Sequence, residues 1–351
     1  MKQLKKFFWP VIGLVAVVWS LKLLYAKLLA EVATDPSVKA MLKTSGFFSD
    51  LSIIATSIGS KLSAIPAHSY LLAALSTLVA YAALAWYDRI ALIHLDRQKG
   101  ISWIYVSVCS FVTYALSHNI GASVFSGGMV RFRAYTAKGL TGAEVAILVA
   151  LCSFTFAFGT IILLGWVLLW EPQILKPLTS LSAKFDLGET PARIIGVGLL
   201  VLCALYTIGA WLHFKPLQIG GFKLVYPRMP VVARQYLAAP LELAGAAGII
   251  YFALPADGNP GFAIVLGAFL LSFSAGLLSQ VPGGVGVMEA VFLAIMPQIP
   301  ATSVFAALLV WRLFYLIIPL ILSLPVILLF ERSQLGQATK DIEPPSSILK
   351  H

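Results

Sequence analysis

The sequence predicts an all-α polytopic integral membrane protein, with about six full spans plus two re-entrant broken-helix hairpins in an inverted repeat. Composition carries the class. Hydrophobic residues fill 59% of the 351 positions and charged residues only 11%, whereas soluble domains are about a quarter charged, so hydrocarbon is the solvent for most of the chain. Charge distribution is the second observation: the formal charge is +10, and Lys and Arg fall between apolar runs rather than in one stripe. That pattern is a topology record and excludes nucleic acid as a partner. The third observation is Ser279-Gln280-Val281-Pro282-Gly283-Gly284-Val285-Gly286-Val287-Met288-Glu289, which interrupts an apolar run. Pro282 removes a backbone donor and restricts Val281, while Gly283, Gly284 and Gly286 permit conformations closed to other residues. The backbone groups freed there are tolerated in a bilayer only inside protein or beside a water-filled cavity.

Taking ~20 apolar residues per crossing, the first span runs from about Phe7 to Leu29 after the basic start Lys2, Lys5, Lys6. It is longer than a secretory h-region and lacks a small-x-small cleavage site, which favours a retained signal anchor. Glu31 to Ala64 is only partly apolar, and Phe47 to Leu62 fits a surface amphipathic helix or a folded external loop equally well. Ala67 to Tyr87 is the second span, closed by a charged turn from Asp88-Arg89 to Lys99-Gly100. Ile101 to Val130 would be ~45 Å of helix, more than one crossing requires. It is punctuated by His118-Asn119-Ile120-Gly121 and by Ser126-Gly127-Gly128, and Arg131, Arg133 and Lys138 follow. A plain crossing would put those cations opposite Arg89, Arg97 and Lys99, against the positive-inside tendency. A re-entrant hairpin, entering to about His118 and returning, keeps both clusters on one side.

Thr141 to Trp170 spans next, Glu171 to Pro191 connects externally, and Arg193 to Phe214 returns the chain to Lys215, Lys223, Arg228 and Arg234. Tyr236 to Leu254 leaves again and Gly261 to Ser279 re-enters before the Pro282 break. Met288 to Met296 is too short to span, so a second hairpin, open to the outside, precedes the last span from Ser303 to Phe330. This arrangement places most Lys and Arg, and both termini, in the cytoplasm. It divides the chain into 1–66, an N-terminal span and external loop; 67–330, a membrane domain with repeats 67–170 and 236–330 of opposite orientation; and 331–351, a short cytoplasmic tail. Inverted repeats with discontinuous helices are a transporter plan whose site lies near midplane, where the breaks converge.

Pro282-Gly283-Gly284-Val285-Gly286-Val287-Met288-Glu289, together with Ser126-Gly127-Gly128-Met129-Val130-Arg131-Phe132-Arg133-Ala134-Tyr135, resembles the transmembrane flippase domain of the lysylphosphatidylglycerol synthase/flippase family over most of Ala67 to Phe330. The resemblance implies two re-entrant helices in an inverted repeat in a bacterial inner membrane. It also implies movement of aminoacyl-phosphatidylglycerol or another envelope lipid between leaflets. With only 331–351 following the last span, the synthase activity of full-length members is not expected to carry over. Membrane phospholipid is then the principal partner, and a second copy of the chain and a lipid-modifying enzyme are left open.

A polar headgroup crosses hydrocarbon cheaply only where compensating charges line its path. Arg131 and Arg133, at the mouth of the first hairpin, and Arg312, deep in the last span, are candidate phosphate ligands because guanidinium makes paired bonds to phosphate oxygens. For Arg131 and Arg133, ordinary topology charge is an equal reading. Glu289 is the counterpart of Arg312, as its ion-pair partner or as a receptor for an aminoacyl ammonium. Asn119 and Gln280 flank the breaks, with helix capping the plainer role for Asn119. Gly127, Gly128, Pro282, Gly283, Gly284 and Gly286 are assigned to the breaks themselves. Glu242 and Glu144 are weaker candidates. The histidines and the cysteines Cys109, Cys152 and Cys203 lack metal-ligand spacing, and neither a Walker loop nor a Gly-x-Ser-x-Gly elbow is present. No metal, cofactor or enzymatic activity is therefore expected. A small-solute secondary transporter and a non-catalytic subunit of a lipid-modifying complex are the alternative functions.

Overall fold

A computed structural model describes residues 22, 25–34, 47–120, 123–179, 188–214, 217–219, 222–279 and 281–329. Most of the first expected span, the tail 331–351 and Gln280 lie outside the described residues. Within them the chain is α-helical, with one two-stranded antiparallel hairpin, β1 (Leu217–Ile219) and β2 (Phe222–Leu224), in the loop expected to be cytoplasmic.

After a helical segment at 25–32, the stretch left open by the sequence forms a helix, α1 (Phe47–Ala64). It is followed by α2 (Ala67–His94), α3 (Trp103–Ile120), α4 (Ser123–Thr136) and α5 (Gly142–Trp170). Then come α6 (Glu189–Trp211), α7 (Met229–Ala253), α8 (Phe262–Leu278), α9 (Val287–Ile295) and α10 (Ala301–Leu329). Five of these, α2, α5, α6, α7 and α10, are long and apolar enough to cross a membrane. The protein is an all-α polytopic membrane protein.

Both broken pairs double back. Near the start of α3 the Tyr105 hydroxyl donates to the Ala134 carbonyl of α4 at 2.6 Å, and the Lys138 ammonium lies 4.7 Å from the Tyr105 ring centre. At the same face Arg97, after α2, pairs with Glu144 of α5 at 2.7 Å, and Glu144 closes a capping box with Thr141. The opposite face gathers the start of α2, the α7–α8 connection and the start of α10 around a vestibule of about 660 Å³. There Glu31 accepts from the backbone amide and the hydroxyl of Thr302, at 2.9 and 2.6 Å, placing a carboxylate at the N-terminus of α10.

The core is the crossing of α2 and α7. Ala73, Ala80, Ala238, Ala239, Ala246 and Ala247 are fully buried, and a Cβ on Gly245 would lie 2.9 Å from both the Ala80 amide nitrogen and the Ser76 carbonyl oxygen. With no hydrophobic drive between helices in lipid, close backbone approach over small residues supplies the packing. A buried polar chain ties α6 to this core: Tyr206 donates to Gln235 at 2.7 Å, and Gln235 donates to Thr155 at 2.8 Å.

Two expectations need correction. Asp88 does not begin a charged turn: Ile90, Ala91 and Leu92 continue the apolar face, the helix runs on to His94, and Asp88 is fully buried within it. Gly127 and Gly128 are not hairpin breaks. The chain interrupts between Ile120 and Ser123, and both glycines lie inside α4. There Gly127 lets α4 approach Ser117 and Thr113 of α3, since a Cβ would collide with the Ser117 hydroxyl.

Candidate functional site

The second break is a short 3-10 turn over Pro282–Gly284, with Gly283, Gly284 and Gly286 at φ of 60°, 61° and 80°. Left-handed backbone is what glycine permits and other L-residues resist. The turn ends in a carboxylate cap: the Gly286 amide donates to Glu289 Oε2 at 2.7 Å. The other oxygen, Glu289 Oε1, accepts from Arg312 Nε at 2.6 Å, and Arg312 Nη1 donates to the Gly283 carbonyl at 2.9 Å. One guanidinium thus binds a buried carboxylate and a backbone carbonyl released by the break. A fixed partner and extra hydrogen bonds offset the desolvation of two charges, so the expected pairing of Glu289 with Arg312 is what the fold contains.

Arg312 also opens a π-helical stretch, Arg312–Ile317, inside α10. A π turn shifts the hydrogen-bond register and leaves carbonyls for other donors. The Tyr315 carbonyl accepts from Tyr81 of α2 at 3.0 Å, and the Leu316 carbonyl accepts from Asn119 of α3 at 3.1 Å. Asn119 also donates to the Ala115 carbonyl at 2.8 Å, so it fastens the tip of the first hairpin to α10. The hairpins meet here: a Cβ on Gly283 would lie 3.9 Å from the His118 carbonyl oxygen.

Arg131 is 5% exposed and its charge is matched by Asp88. Nη2 donates to Asp88 Oδ1 at 2.6 Å and Nε lies 3.2 Å from both oxygens, while the Tyr135 hydroxyl donates to Oδ2 at 2.9 Å. The guanidinium sits 4.8 Å from the Tyr114 ring centre, a favourable place for a cation against an aromatic face. Arg133, two residues on, is exposed beside an apolar groove of about 210 Å³ between α3, α4 and the end of α10.

Beside Arg131 lies a partly open cavity of about 140 Å³, lined by Tyr114, Ser117, His118, Arg131, Ser153 and Phe273 among others. His118 is stacked on Tyr315 at 5.2 Å between ring centres, and its buried Nδ1 has no hydrogen-bond partner among the described residues. The structure therefore brings Asn119, Glu289 and Arg312 together where the hairpins meet, holds Arg131 on Asp88 at a cavity shared with His118, and leaves Arg133 at the edge. Among the described residues no group of His, Cys, Asp and Glu is arranged to hold a metal ion.

Sequence reasoning misses Asp88, Tyr114 and Tyr315. Asp88 is legible in principle, because an apolar Ile-Ala-Leu-Ile follows Arg89 and a lone carboxylate beside such a run needs a cation. Glu242 is placed only loosely by the sequence. It is 1% exposed in the middle of α7, accepting from Tyr315 and, at 3.4 Å, from Tyr87.

Fold and site together define a multi-pass all-α membrane protein with a buried ion pair where two interrupted helices meet. No family model matches the sequence. The chain is 31% identical over 257 residues to the inner membrane protein YbhN of Escherichia coli, covering 72% of this chain and 77% of that protein. It is also 31% identical over 248 residues to the uncharacterized protein slr0712 of Synechocystis sp., covering 69% of this chain and 73% of that one. The chain belongs to the family of the inner membrane protein YbhN.

Proposed function

We propose that the protein is a lipid flippase or scramblase of the inner membrane, akin to the flippase domain of lysylphosphatidylglycerol synthases, with the connections at Lys99 and Lys138 on the cytoplasmic side. The carrying observation is the meeting of two broken hairpins across Arg312, with a half-open cavity beside Arg131 and His118. Discontinuous backbone at membrane depth is costly unless it is buried in protein or lines a water-filled path, and in transporters such breaks mark the binding site. A phosphate-bearing headgroup would exchange its water for these donors while its chains stay in lipid, and the apolar groove by Arg133 supplies a lateral place for a chain.

Purified protein in liposomes carrying leaflet-labelled lipids tests the proposal. Transbilayer movement of an anionic or aminoacylated phospholipid is expected to be faster than in protein-free vesicles and to fall on Arg312→Ala. Unchanged rates for every such lipid would sink it. The cavity volume favours one second reading, a small-solute transporter, because about 140 Å³ is below the ~300–1,000 Å³ of usual ligand pockets. Uptake of a water-soluble anion with no lipid movement would decide for that reading.

A further inference from the structure

We infer that Glu242 is a proton-carrying site that couples the proposed translocation to a transmembrane proton gradient; the coupling, though not the proton site, rests on the transport reading above. The other membrane-embedded carboxylates of the described core, Asp88 and Glu289, each hold an arginine. Glu242 has no ion-pair partner among the described residues. Its hydrogen bonds come from two neutral hydroxyls, Tyr315 at Oε1 and Tyr87 at Oε2. Carboxyls inside membrane spans are rare and mark proton relays and ion pathways, so an unpaired one is a functional-site candidate by default.

The surroundings place a proton-exchanging group on the cavity side of Glu242. On α2 the facing groups are Tyr81 and Tyr87; on α10, Tyr315 and, one turn before it, Arg312, which is committed to Glu289. On α3, Tyr114 meets Tyr87 edge-on at 6.5 Å and His118 stacks on Tyr315; on α5 the nearest titratable group is Cys152, which donates to Asp88 at 3.4 Å. α8 contributes none, and α6 contributes Tyr206 and Cys203 on its far side. His118 lines the cavity, and its unpartnered Nδ1 places a proton-exchanging group one ring away from the Tyr315–Glu242 pair.

As carboxylate, Glu242 accepts the Tyr315 hydroxyl proton in a hydrogen bond. When it takes up one proton from the cavity side on Oε1, that oxygen gains an O–H and becomes a donor, and the Tyr315 hydroxyl turns to accept while Oε2 still accepts from Tyr87. Releasing that proton to the other side restores the first state, so one proton crosses per cycle with nothing else consumed. Tyr315 belongs to the π stretch that begins at Arg312 and receives Asn119. The charge on Glu242 is therefore set beside the element that fastens the first hairpin tip and carries Arg312, and its neutralisation changes the hydrogen bonding of that element.

Two measurements on the full chain in lipid test this. Infrared difference spectra across pH are expected to show a protonated-carboxyl carbonyl band that comes and goes in the wild type and is absent in Glu242→Gln, with Tyr315→Phe shifting it. In liposomes, an imposed pH gradient is expected to poise the leaflet ratio of the transported lipid by up to about tenfold per pH unit for one proton per lipid. Glu242→Gln is expected to relax that ratio to one. No band difference between wild type and Glu242→Gln overturns the proton site, whether or not lipid moves. A band that titrates with lipid movement blind to the gradient overturns the coupling. A titrating band with no movement of any lipid upholds the proton site and sinks the lipid reading instead.

Discussion

Arg131 and Asp88 hold each other so completely that breaking the pair and removing it have opposite costs. Asp88 is fully buried and accepts from Arg131 and Tyr135. Truncating it strands a guanidinium in a low-dielectric interior, at a cost of roughly 3–5 kcal/mol, whereas replacing both partners with apolar residues of similar volume is often nearly neutral. Asp88→Ala is therefore expected to lower the unfolding temperature in detergent sharply, and Asp88→Leu combined with Arg131→Met to recover most of the loss. If the double variant is as unstable as the single one, the pair is not the reason for the burial. Because Asp88 already occupies two of the guanidinium nitrogens, any phosphate beside Arg131 would compete with a built-in anion, and the proposed function would use Arg131 through a partner exchange rather than as an open cation.

At the scale of the element, glycines that look alike in the sequence do different things. Gly284 sits at φ 61° and a Cβ there would come within 3.2 Å of the Gly276 Cα, while Gly128 lies in helical backbone with nothing within 4 Å of where a Cβ would stand. Gly284→Ala is expected to destabilise by at least the ~1–2 kcal/mol that left-handed backbone costs an L-residue. Gly128→Ala is expected to stabilise by up to about 1 kcal/mol through helix propensity. Denaturant titration in mixed micelles reads both signs, and a loss at Gly128 equal to that at Gly284 would contradict the helical placement. The two glycine motifs also show what is legible in a sequence. Pro282 with three glycines specifies a break because proline removes a donor, and the lone arginine at 312 specifies a buried partner. Gly127-Gly128 lacks a proline, and the role of Gly127 is close packing against Ser117, which only the neighbouring helix decides. Asp88 reads as a turn because it stands beside Arg89; the full burial of one and the partial exposure of the other are tertiary outcomes. The π stretch in α10 has no local sequence cue at all, since it exists to offer carbonyls to Tyr81 and Asn119.

For the whole molecule the deciding property is sidedness, because the hairpins are re-entrant only if the chain enters and leaves by the same face. Tyr105 against Ala134, Lys138 over Tyr105 and Arg97 against Glu144 draw the α2–α3 and α4–α5 connections together. The α7–α8 connection joins the vestibule at the other end. Lys99, Lys138 and Asp257 are exposed, and the native Cys109, Cys152 and Cys203 are buried, so an impermeant thiol reagent on intact cells reads each introduced site against a quiet background. Lys99→Cys and Lys138→Cys are expected to react only after the membrane is opened, and Asp257→Cys before it, as the positive-inside bias requires. A plain crossing through Asn119 would put Lys138 on the other side from Lys99. Labelling of those two from opposite faces would separate the hairpin tips from Arg312 and leave the buried charges without a shared path.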